Sequence, residues 1–296
     1  MLYIKKIVKV ALWPLVVMRR KILKMRFERR RSVIDYLGMI AVDDIVLRIE
    51  EFGGCFAFDA RSDLFARVLI DKGYEPDLAT LCLSCLDQNR DFIDVGANIG
   101  FFSVLAASNL KSGRVLSIEP MSNSRDRLRK NISINGLKHK VEIFEGAVSD
   151  KIGTTTINYI EGKEEYSSIL NIEHPGVDGQ VAKKCQTSTS TLDHLVAELN
   201  LNPGMIKVDA EGSEALVFKG AQETFRKHRP IILSELSDYL LKRNSSSAQE
   251  VIDLIKGLGY VICDPVTRTQ KGLDLDFGEI LCIPEEVYGK WRKLNT

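Results

Sequence analysis

Acidic side chains follow several apolar segments of this chain, at the points where buried strands would end. Asp94, Glu119, Asp209 and Glu235 each lie at the carboxyl end of a predicted strand, and Glu211 lies just beyond one. Ligands of open parallel sheets bind at this edge, so the acids predict a single site there. A rim of negative charge favours an electropositive ligand and disfavours a pyrophosphate.

The stretch 94–100 reads D-x-G-x-N-x-G, with Ala97 between the first glycine and the asparagine. An apolar strand precedes it and an apolar helical pattern follows, so we expect a strand, a tight turn and a helix. Gly96 and Gly100 allow the backbone to bend tightly or to approach a ligand, and Asn98 is the next best residue for a left-handed conformation. The free N–H groups of the new helix predict a nucleotide site. An ordinary strand–turn–helix corner is the alternative.

Further along the chain, polar and small residues are placed to contact the rest of a nucleoside. Glu119 lies 19 residues after Gly100 at the end of the second predicted strand, where a carboxylate accepts hydrogen bonds from both ribose hydroxyls. A surface acid is the alternative. After the third strand, Ala147 and Val148 are expected to pack on the base and Asp150 to accept from its amino group, although Asp150 is also a typical turn residue.

Strands and helices alternate from Asp91 onward, which predicts a doubly wound, mostly parallel α/β sheet. One helix is expected from near Ser213 through Phe225. We expect four segments: a basic segment at 1–31, a lead-in hairpin with helices at 32–90, the main domain at 91–285 and a tail at 286–296. The predicted core strands are 92–95, 114–119, 141–144, 205–209, 231–235, 260–263 and 279–284.

Residues 151–191 interrupt the alternation. The stretches 154–159 and 185–190 are rich in β-forming residues, and a polar loop that contains Ser168 and His174 lies between them. Long loops inside compact domains are usually functional or disordered, so we interpret this segment as a flap on the substrate side. Ser168 and Glu235 are the candidate substrate contacts.

Charge is distributed unevenly, although the net charge of the 296 residues is only +1. Residues 1–31 contain eleven of the 41 Lys and Arg and one of the 40 acids, Glu28, so the remaining residues carry 30 basic and 39 acidic side chains. The apolar run 10–18 is too short to span a bilayer, which needs about 20 residues. We expect this segment to bind an anionic membrane surface. A solvated tail and a nucleic-acid-binding arm are the alternatives.

The six cysteines show no disulfide framework. Cys82 and Cys85 form the only close pair, without a second pair or a histidine at zinc spacing. Reduced cysteines in apolar surroundings favour a cytoplasmic protein, peripheral at the inner membrane face if the basic segment binds lipid.

Three stretches together carry a family resemblance. The D-x-G-x-N-x-G turn is similar to motif I of class I S-adenosylmethionine-dependent methyltransferases. With Glu119-Pro120 and the stretch 206–221, which contains a K-x-D-x-E-G-x-E pattern starting at Lys207, residues 94–103 resemble the FkbM family of these enzymes. The similarity covers roughly residues 50–285. It implies a seven-stranded sheet with a reversed last strand, S-adenosyl-L-methionine as the cofactor held by the 94–100 turn and Glu119-Pro120, and O-methylation of a hydroxyl in a sugar, glycan or natural product.

An alcohol is a poor nucleophile at neutral pH, so methyl transfer to a hydroxyl benefits from a general base. Asp209 and Glu211 are the first candidates, and His174 in the flap is the next. Lys207 lies inside a predicted strand, where a buried ammonium needs an acid partner. Glu235 is expected to orient the acceptor. The resemblance requires no metal, but Asp209, Glu211 and Glu235 are also ligands that would suit magnesium.

Two other classes of function stay open at this point. A nucleotide-dependent oxidoreductase or epimerase would use the same sheet edge, although the G-x-G-x-x-G pattern of such proteins is missing. A catalytically idle methyltransferase-like scaffold, held at a membrane by residues 1–31, would keep the fold and lose the chemistry. No nucleic-acid partner is expected for the main domain.

Overall fold

The computed structural model describes residues 31–34, 36–41, 43–160, 163–168, 181–269 and 277–295. Most of the predicted membrane-binding segment, residues 1–30, lies outside this part, and so does His174. The chain divides into two compact units. One contains the described residues up to Ile45 together with Phe58–Tyr74, and the other contains Val46–Ala57 and the chain from Glu75 onward.

Strands and helices alternate as predicted from Asp91 to Phe144 and again from Pro203. The strands are β1 (Ile45–Ile49), β2 (Gly54–Phe58), β3 (Asp91–Val95), β4 (Val115–Ile118), β5 (Val141–Phe144), β6 (Gly146–Val148), β7 (Gly153–Ile160), β8 (Lys163–Ser168), β9 (Lys183–Ser190), β10 (Pro203–Val208), β11 (Ile231–Ser237), β12 (Tyr260–Cys263) and β13 (Phe277–Pro284). The helices are α1 (Asp63–Asp71), α2 (Pro76–Cys85), α3 (Phe101–Asn109), α4 (Ser122–Ile134), α5 (Leu192–Glu198), α6 (Glu214–Lys219), α7 (Gln222–His228), α8 (Asp238–Arg243), α9 (Ala248–Gly257) and α10 (Glu285–Asn295).

In the described part of the chain, seven strands form the main sheet in the order β12-β13-β11-β10-β3-β4-β5. The pairs from β11 through β10, β3 and β4 to β5 are parallel, and β13 runs antiparallel to both of its neighbours. The predicted doubly wound sheet with a reversed last strand is therefore confirmed. All seven strands coincide with predicted ones to within two residues at each end.

The central strands are buried on both faces, which explains why they read as continuous apolar runs. Every residue of β3, β4 and β10 is buried. The core extends from Ile93 and Leu116 through Phe218 and Phe225 to Ile262. This packing fixes the carboxyl ends of the strands, where the candidate acids lie.

The helix predicted from Ser213 through Phe225 is instead two helices, α6 and α7, which meet at Gly220 and Ala221. A Cβ on Gly220 would lie 2.1 Å from the carbonyl oxygen of Ser149. Close packing of this glycine on the chain after β6 accompanies the break, and a helical sequence pattern does not reveal such a contact.

A smaller sheet contains β6, β9, β7 and β8, in that order, among the described residues. Its β7 and β9 correspond to the two β-rich stretches predicted inside the flap segment, and they pair antiparallel from Gly153 opposite Thr189 to Tyr159 opposite Lys183. The β6–β9 pair is parallel and begins directly after β5, so the flap strands start beside the main sheet.

The hairpin strand β2 is tied to the first turn of the main sheet by one side chain. Asn131 of α4 is fully buried, accepts a hydrogen bond from the N–H of Ala57 (2.7 Å) and donates one to the carbonyl of Ile99 (2.8 Å). A primary amide can do both at once, which a carboxylate cannot. Asn131 therefore positions the turn on which the site is built.

None of the helices in the described residues combines the length and the apolar character that crossing a bilayer requires.

Candidate active site

The turn between β3 and α3 has the left-handed backbone that its sequence predicted. The φ angles of Gly96, Asn98 and Gly100 are 78°, 49° and 92°. The N–H groups of Gly96 and Ala97 both donate to the carbonyl of Ile118 at 3.0 Å, which anchors the turn to the end of β4. The N-terminus of α3 therefore opens at the carboxyl edge of the sheet.

The two glycines of this turn are required by packing within the protein. A Cβ on Gly96 would lie 1.8 Å from the carbonyl oxygen of Asp209, and one on Gly100 would lie 2.4 Å from Cδ1 of Leu128. The sequence left open whether these glycines bend the chain or approach a ligand. The structure shows close approach to β10 and α4, so Gly96 brings the turn directly against Asp209.

Glu119 lies at the end of β4 and fastens the same turn. Its Oε2 accepts from the N–H of Asn98 and its Oε1 from the N–H of Met121, both at 2.8 Å. The side chain is buried, and this burial raises its pKa to about 7 although the two N–H groups and Arg125 oppose the shift. Each carboxylate oxygen keeps a lone pair for a further donor.

Asp94 is almost completely buried beside two serines that the sequence did not single out. Its Oδ2 accepts from Oγ of Ser103 at 2.6 Å, and Ser103 lies 2.7 Å from Oγ of Ser117. Oδ1 has no hydrogen-bond donor within the described residues. Burial raises the pKa of Asp94, and the charge of Lys207 acts in the opposite direction.

Lys207 is buried in β10 with the acid partner that we expected for it. Its Nζ donates to Oδ2 of Asp209 at 2.9 Å and lies 4.9 Å from the ring centre of Phe102. Burial lowers the pKa of an ammonium, but Asp209 and Asp94 outweigh this effect and the pKa of Lys207 is raised. The lysine thus stays charged between two carboxylates.

The strand register brings the remaining acids together. Val208 of β10 pairs with Ser234 of β11, so the residues that follow them, Asp209 and Glu235, are neighbours at the edge of the sheet. Although Glu211 is exposed, partial desolvation and the negative charges of Asp209 and Glu235 raise its pKa. Partial desolvation and Asp209 also raise the pKa of half-buried Glu235. These carboxylates are poised to hold a proton. Among the described residues, no group of three His, Cys, Asp or Glu side chains is arranged to hold a metal ion.

Glu214 is a functional residue that sequence reasoning missed, although it is the last acid of the K-x-D-x-E-G-x-E pattern. Its Oε1 accepts from the N–H groups of Ala210 (3.0 Å) and Gly212 (3.1 Å). These bonds hold the turn in which Glu211 and Gly212 have φ angles of 48° and 91°. Glu214 therefore fixes the backbone conformation that presents Glu211.

Replacing Glu214 by glutamine should change the pH dependence of stability. Burial raises the pKa of Glu214 from 4.5 to about 7. A raised carboxyl pKa means that the folded state holds the proton more tightly, so the stabilisation present below pH 4.5 is lost as the pH rises to about 7. Glu214→Gln keeps the Oε1 acceptor and cannot ionise. In the wild type, ionisation of Glu214 should lower the free energy of unfolding by up to about 3 kcal/mol over this pH range. In Glu214→Gln this decline should be absent.

Urea unfolding at pH 5 and pH 8 measures this difference. Glu142→Gln is the control, because it removes the same charge from an exposed residue. An equal pH dependence for the wild type and Glu214→Gln would contradict the prediction.

The other candidate residues differ in their burial and in their contacts. Val148 belongs to the main core, Ala147 is half-buried, and exposed Asp150 accepts from Oγ of Ser149 at 3.1 Å. Pro120 is half-buried, and its carbonyl accepts from Arg125. Ser168 ends β8, but its side chain, like His174, lies outside the described part. The roles of these residues in binding cofactor or acceptor stay predictions.

Known proteins share parts of this sequence. The chain is 24% identical to the AMB antimetabolite synthetase AmbE of Pseudomonas aeruginosa over 233 residues. The aligned region covers 67% of this chain and 10% of AmbE. It is also 24% identical to the methyltransferase sdnD of Sordaria araneosa over 162 residues. The aligned region covers 47% of this chain and 62% of sdnD. The chain thus spans less than two thirds of either relative.

Solved structures with similar folds include several methyltransferases. The methyltransferase FkbM of Methylobacillus flagellatus KT is 16% identical, with a TM-score of 0.43 over 67% of this chain and 44% of that chain. TYW2 of M. jannaschii, solved in complex with AdoMet, is 13% identical, with a TM-score of 0.37 over 81% of this chain and 84% of that chain.

A family model described as the methyltransferase FkbM domain matches residues 94–262. This range is more than half of the chain. It contains the turn at 94–100, Glu119, the flap strands, the acids that follow β10 and Glu235 of β11. The chain therefore belongs to the FkbM family of methyltransferases.

Proposed function

We propose that this protein transfers a methyl group from S-adenosyl-L-methionine to a hydroxyl of a sugar, glycan or natural product. One observation carries the proposal. The buried carboxylate of Glu119 is held by the N–H groups of Asn98 and Met121 at the edge of the sheet, beside a left-handed turn and a rim of further acids.

The residues at this edge fit such a cofactor. Glu119 has one acceptor position left on each oxygen, as a pair of neighbouring ribose hydroxyls requires. Oδ1 of Asp94 is buried without a donor among the described residues, and it would gain one from a ligand. The acids of the rim favour a positively charged sulfonium. When bound, the cofactor supplies an activated methyl group on sulfur.

Glu211 is better suited than Asp209 to take the proton from the acceptor hydroxyl. Oδ2 of Asp209 already accepts a hydrogen bond from Lys207, whereas the pKa of Glu211 is raised by restricted hydration and neighbouring charge. A carboxylate with a raised pKa is a stronger base and takes up a proton more readily near neutral pH. We assign Glu211 as the general base and Asp209, held by Lys207, as a group that orients the acceptor.

Polar residues and the name of one relative support this class of acceptor. Glu235 lies beside Asp209 and provides an acceptor for further hydroxyl groups. The flap strands β7, β8 and β9 carry polar side chains. Ser168 remains the candidate substrate contact from this segment, and His174 remains the second candidate for the general base. AmbE is named an antimetabolite synthetase, which favours a natural-product acceptor over a protein or nucleic acid.

Calorimetric titration with S-adenosylhomocysteine tests the cofactor directly. We expect micromolar binding by the wild type. Glu119→Ala should weaken it by about a hundredfold or more, because each hydrogen bond to a charged group contributes about 1.5 to 3 kcal/mol. Exposed Glu142 offers the matched control, since Glu142→Ala removes an acid from the adjacent strand β5.

Titration with NADH tests whether the protein is instead a nucleotide-dependent oxidoreductase or epimerase. NADH binding that Glu119→Ala abolishes, without binding of S-adenosylhomocysteine, would support an oxidoreductase or epimerase. Absence of binding for both ligands would leave a methyltransferase-like scaffold.

A further inference from the structure

The helical residues 31–34 and 36–40 expose large apolar side chains to solvent. Val33 is 57% exposed, Tyr36 59%, Met39 81% and Ile40 52%. Ile34 is 5% exposed, and a Cβ on Gly38 would lie 3.3 Å from the carbonyl of Ala60. One side of this segment thus packs within its own unit, while the apolar residues on the other side are left uncovered.

The four exposed residues form a stripe. Val33, Tyr36 and Ile40 follow the spacing i, i+3, i+7, which places side chains on one face of a helix, and Met39 adjoins them. Elsewhere in the described residues, the large apolar side chains that are more than half exposed come singly along the sequence: Ile152, Val181, Tyr239 and Val266. Grouped exposed apolar side chains mark an interaction surface, whereas single ones are normal.

The sequence directly before this stripe is strongly basic. Residues 1–31 contain eleven Lys and Arg and one acid. Two copies of the chain joined through the stripe would bring two such segments together, and their positive charges would repel each other. A nucleic acid would attract the positive charge of residues 1–31, but its phosphate backbone would not cover the exposed apolar side chains. An anionic lipid surface is complementary to both features.

We propose that the apolar stripe of Val33, Tyr36, Met39 and Ile40 docks on an anionic membrane surface. The stripe enters the boundary between headgroups and acyl chains, and the basic residues at 1–31 contact the anionic headgroups. This attachment is independent of the reaction proposed above, because it uses no residue of the main sheet.

Sedimentation of the full chain with vesicles tests the proposal, using phosphatidylcholine with and without phosphatidylserine. We expect binding only when phosphatidylserine is present, and release at high salt. Val33→Gln with Met39→Gln should lower the partition coefficient by about tenfold or more, since burying each side chain contributes more than about 1 kcal/mol. Arg19→Gln, Arg20→Gln and Lys21→Gln together should lower it by about a hundredfold.

Matched controls separate these effects from general surface changes. Val266→Gln with Val287→Gln removes two exposed apolar side chains elsewhere, and Lys138→Gln, Lys256→Gln and Lys290→Gln remove three exposed positive charges. Both control sets should bind vesicles like the wild type. Circular dichroism and thermal unfolding show that each variant is folded.

Three results would overturn the proposal. Equal binding to both kinds of vesicle would remove the role of anionic lipid. A wild-type dimer that Val33→Gln with Met39→Gln converts to a monomer in sedimentation equilibrium would identify a second copy as the occupant. Binding to duplex DNA that depends on Arg19, Arg20 and Lys21, without vesicle binding, would identify a nucleic acid.

Discussion

Gly96→Ala is expected to destabilise the protein by more than about 3 kcal/mol, which is a large fraction of the total stability of a typical domain. A Cβ at this position would lie 1.8 Å from the carbonyl oxygen of Asp209, which is much shorter than a van der Waals contact. The overlap is with a backbone atom, which cannot move away as the end of a flexible side chain could. The φ angle of 78° adds the strain of a left-handed alanine. Relief requires β3 and β10 to separate, and their pairing is the centre of the sheet.

Gly136 provides the matched control for this substitution. Its φ angle is 71°, but no atom lies within 4 Å of a Cβ built there. Gly136→Ala should therefore cost only the left-handed strain, about 1 kcal/mol. Urea unfolding of both variants separates steric overlap from backbone strain. If the two variants lose equal stability, the close approach of Gly96 to Asp209 does not matter for folding.

Glu211→Gln is expected to lower kcat by about 10²- to 10⁴-fold, the usual contribution of a general base. The affinity for S-adenosylhomocysteine should stay within about threefold of the wild type, because the contacts assigned to the cofactor come from other residues. The rate of the wild type should rise with pH through the raised pKa of Glu211, since only the deprotonated carboxylate accepts the proton. Initial rates with an identified acceptor measure both effects.

Asp209→Asn is the comparison that identifies the base. Lys207 loses the carboxylate to which it donates a hydrogen bond in this variant, so a moderate loss of kcat/KM is expected, mainly through a higher KM for the acceptor. Retention of activity by Glu211→Gln, together with loss of the pH-dependent limb in Asp209→Asn, would assign the base to Asp209. Glu142→Gln, which removes an exposed acid of β5, should leave the rate and its pH dependence unchanged.

The parts of the fold that the sequence predicted depend on local patterns. The seven core strands are short apolar runs bounded by turn residues, and burial on both faces makes such runs easy to recognise. Asn98 was predicted to be left-handed because few residues tolerate that backbone, and its φ angle is 49°. The acid partner of Lys207 was predictable as well, because a buried ammonium requires one and Asp209 lies two residues away.

The contacts that the sequence did not reveal join residues far apart in the chain. Asn131 meets Ala57 across 74 residues, and a single asparagine in a polar helix gives no sign of a buried bridge. Ser117 appears as a small polar residue in a strand, and only the sheet shows its contact with Ser103 beside Asp94. Glu214 was part of a recognised pattern, but the pattern does not show that its carboxylate accepts hydrogen bonds from the turn at 210–212.

The position of β13 has a consequence for how this protein is made on the ribosome. In the described sheet β12 pairs only with β13, and β13 fills the space between β12 and β11. Until residues 277–284 emerge, β12 has no partner and β11 presents an open hydrogen-bonding edge beside Glu235. Open edges recruit other chains, so nascent molecules are exposed to aggregation until β13 is synthesised. A chain that stops before residue 277 would contain the acids of the rim but not the complete sheet that holds them.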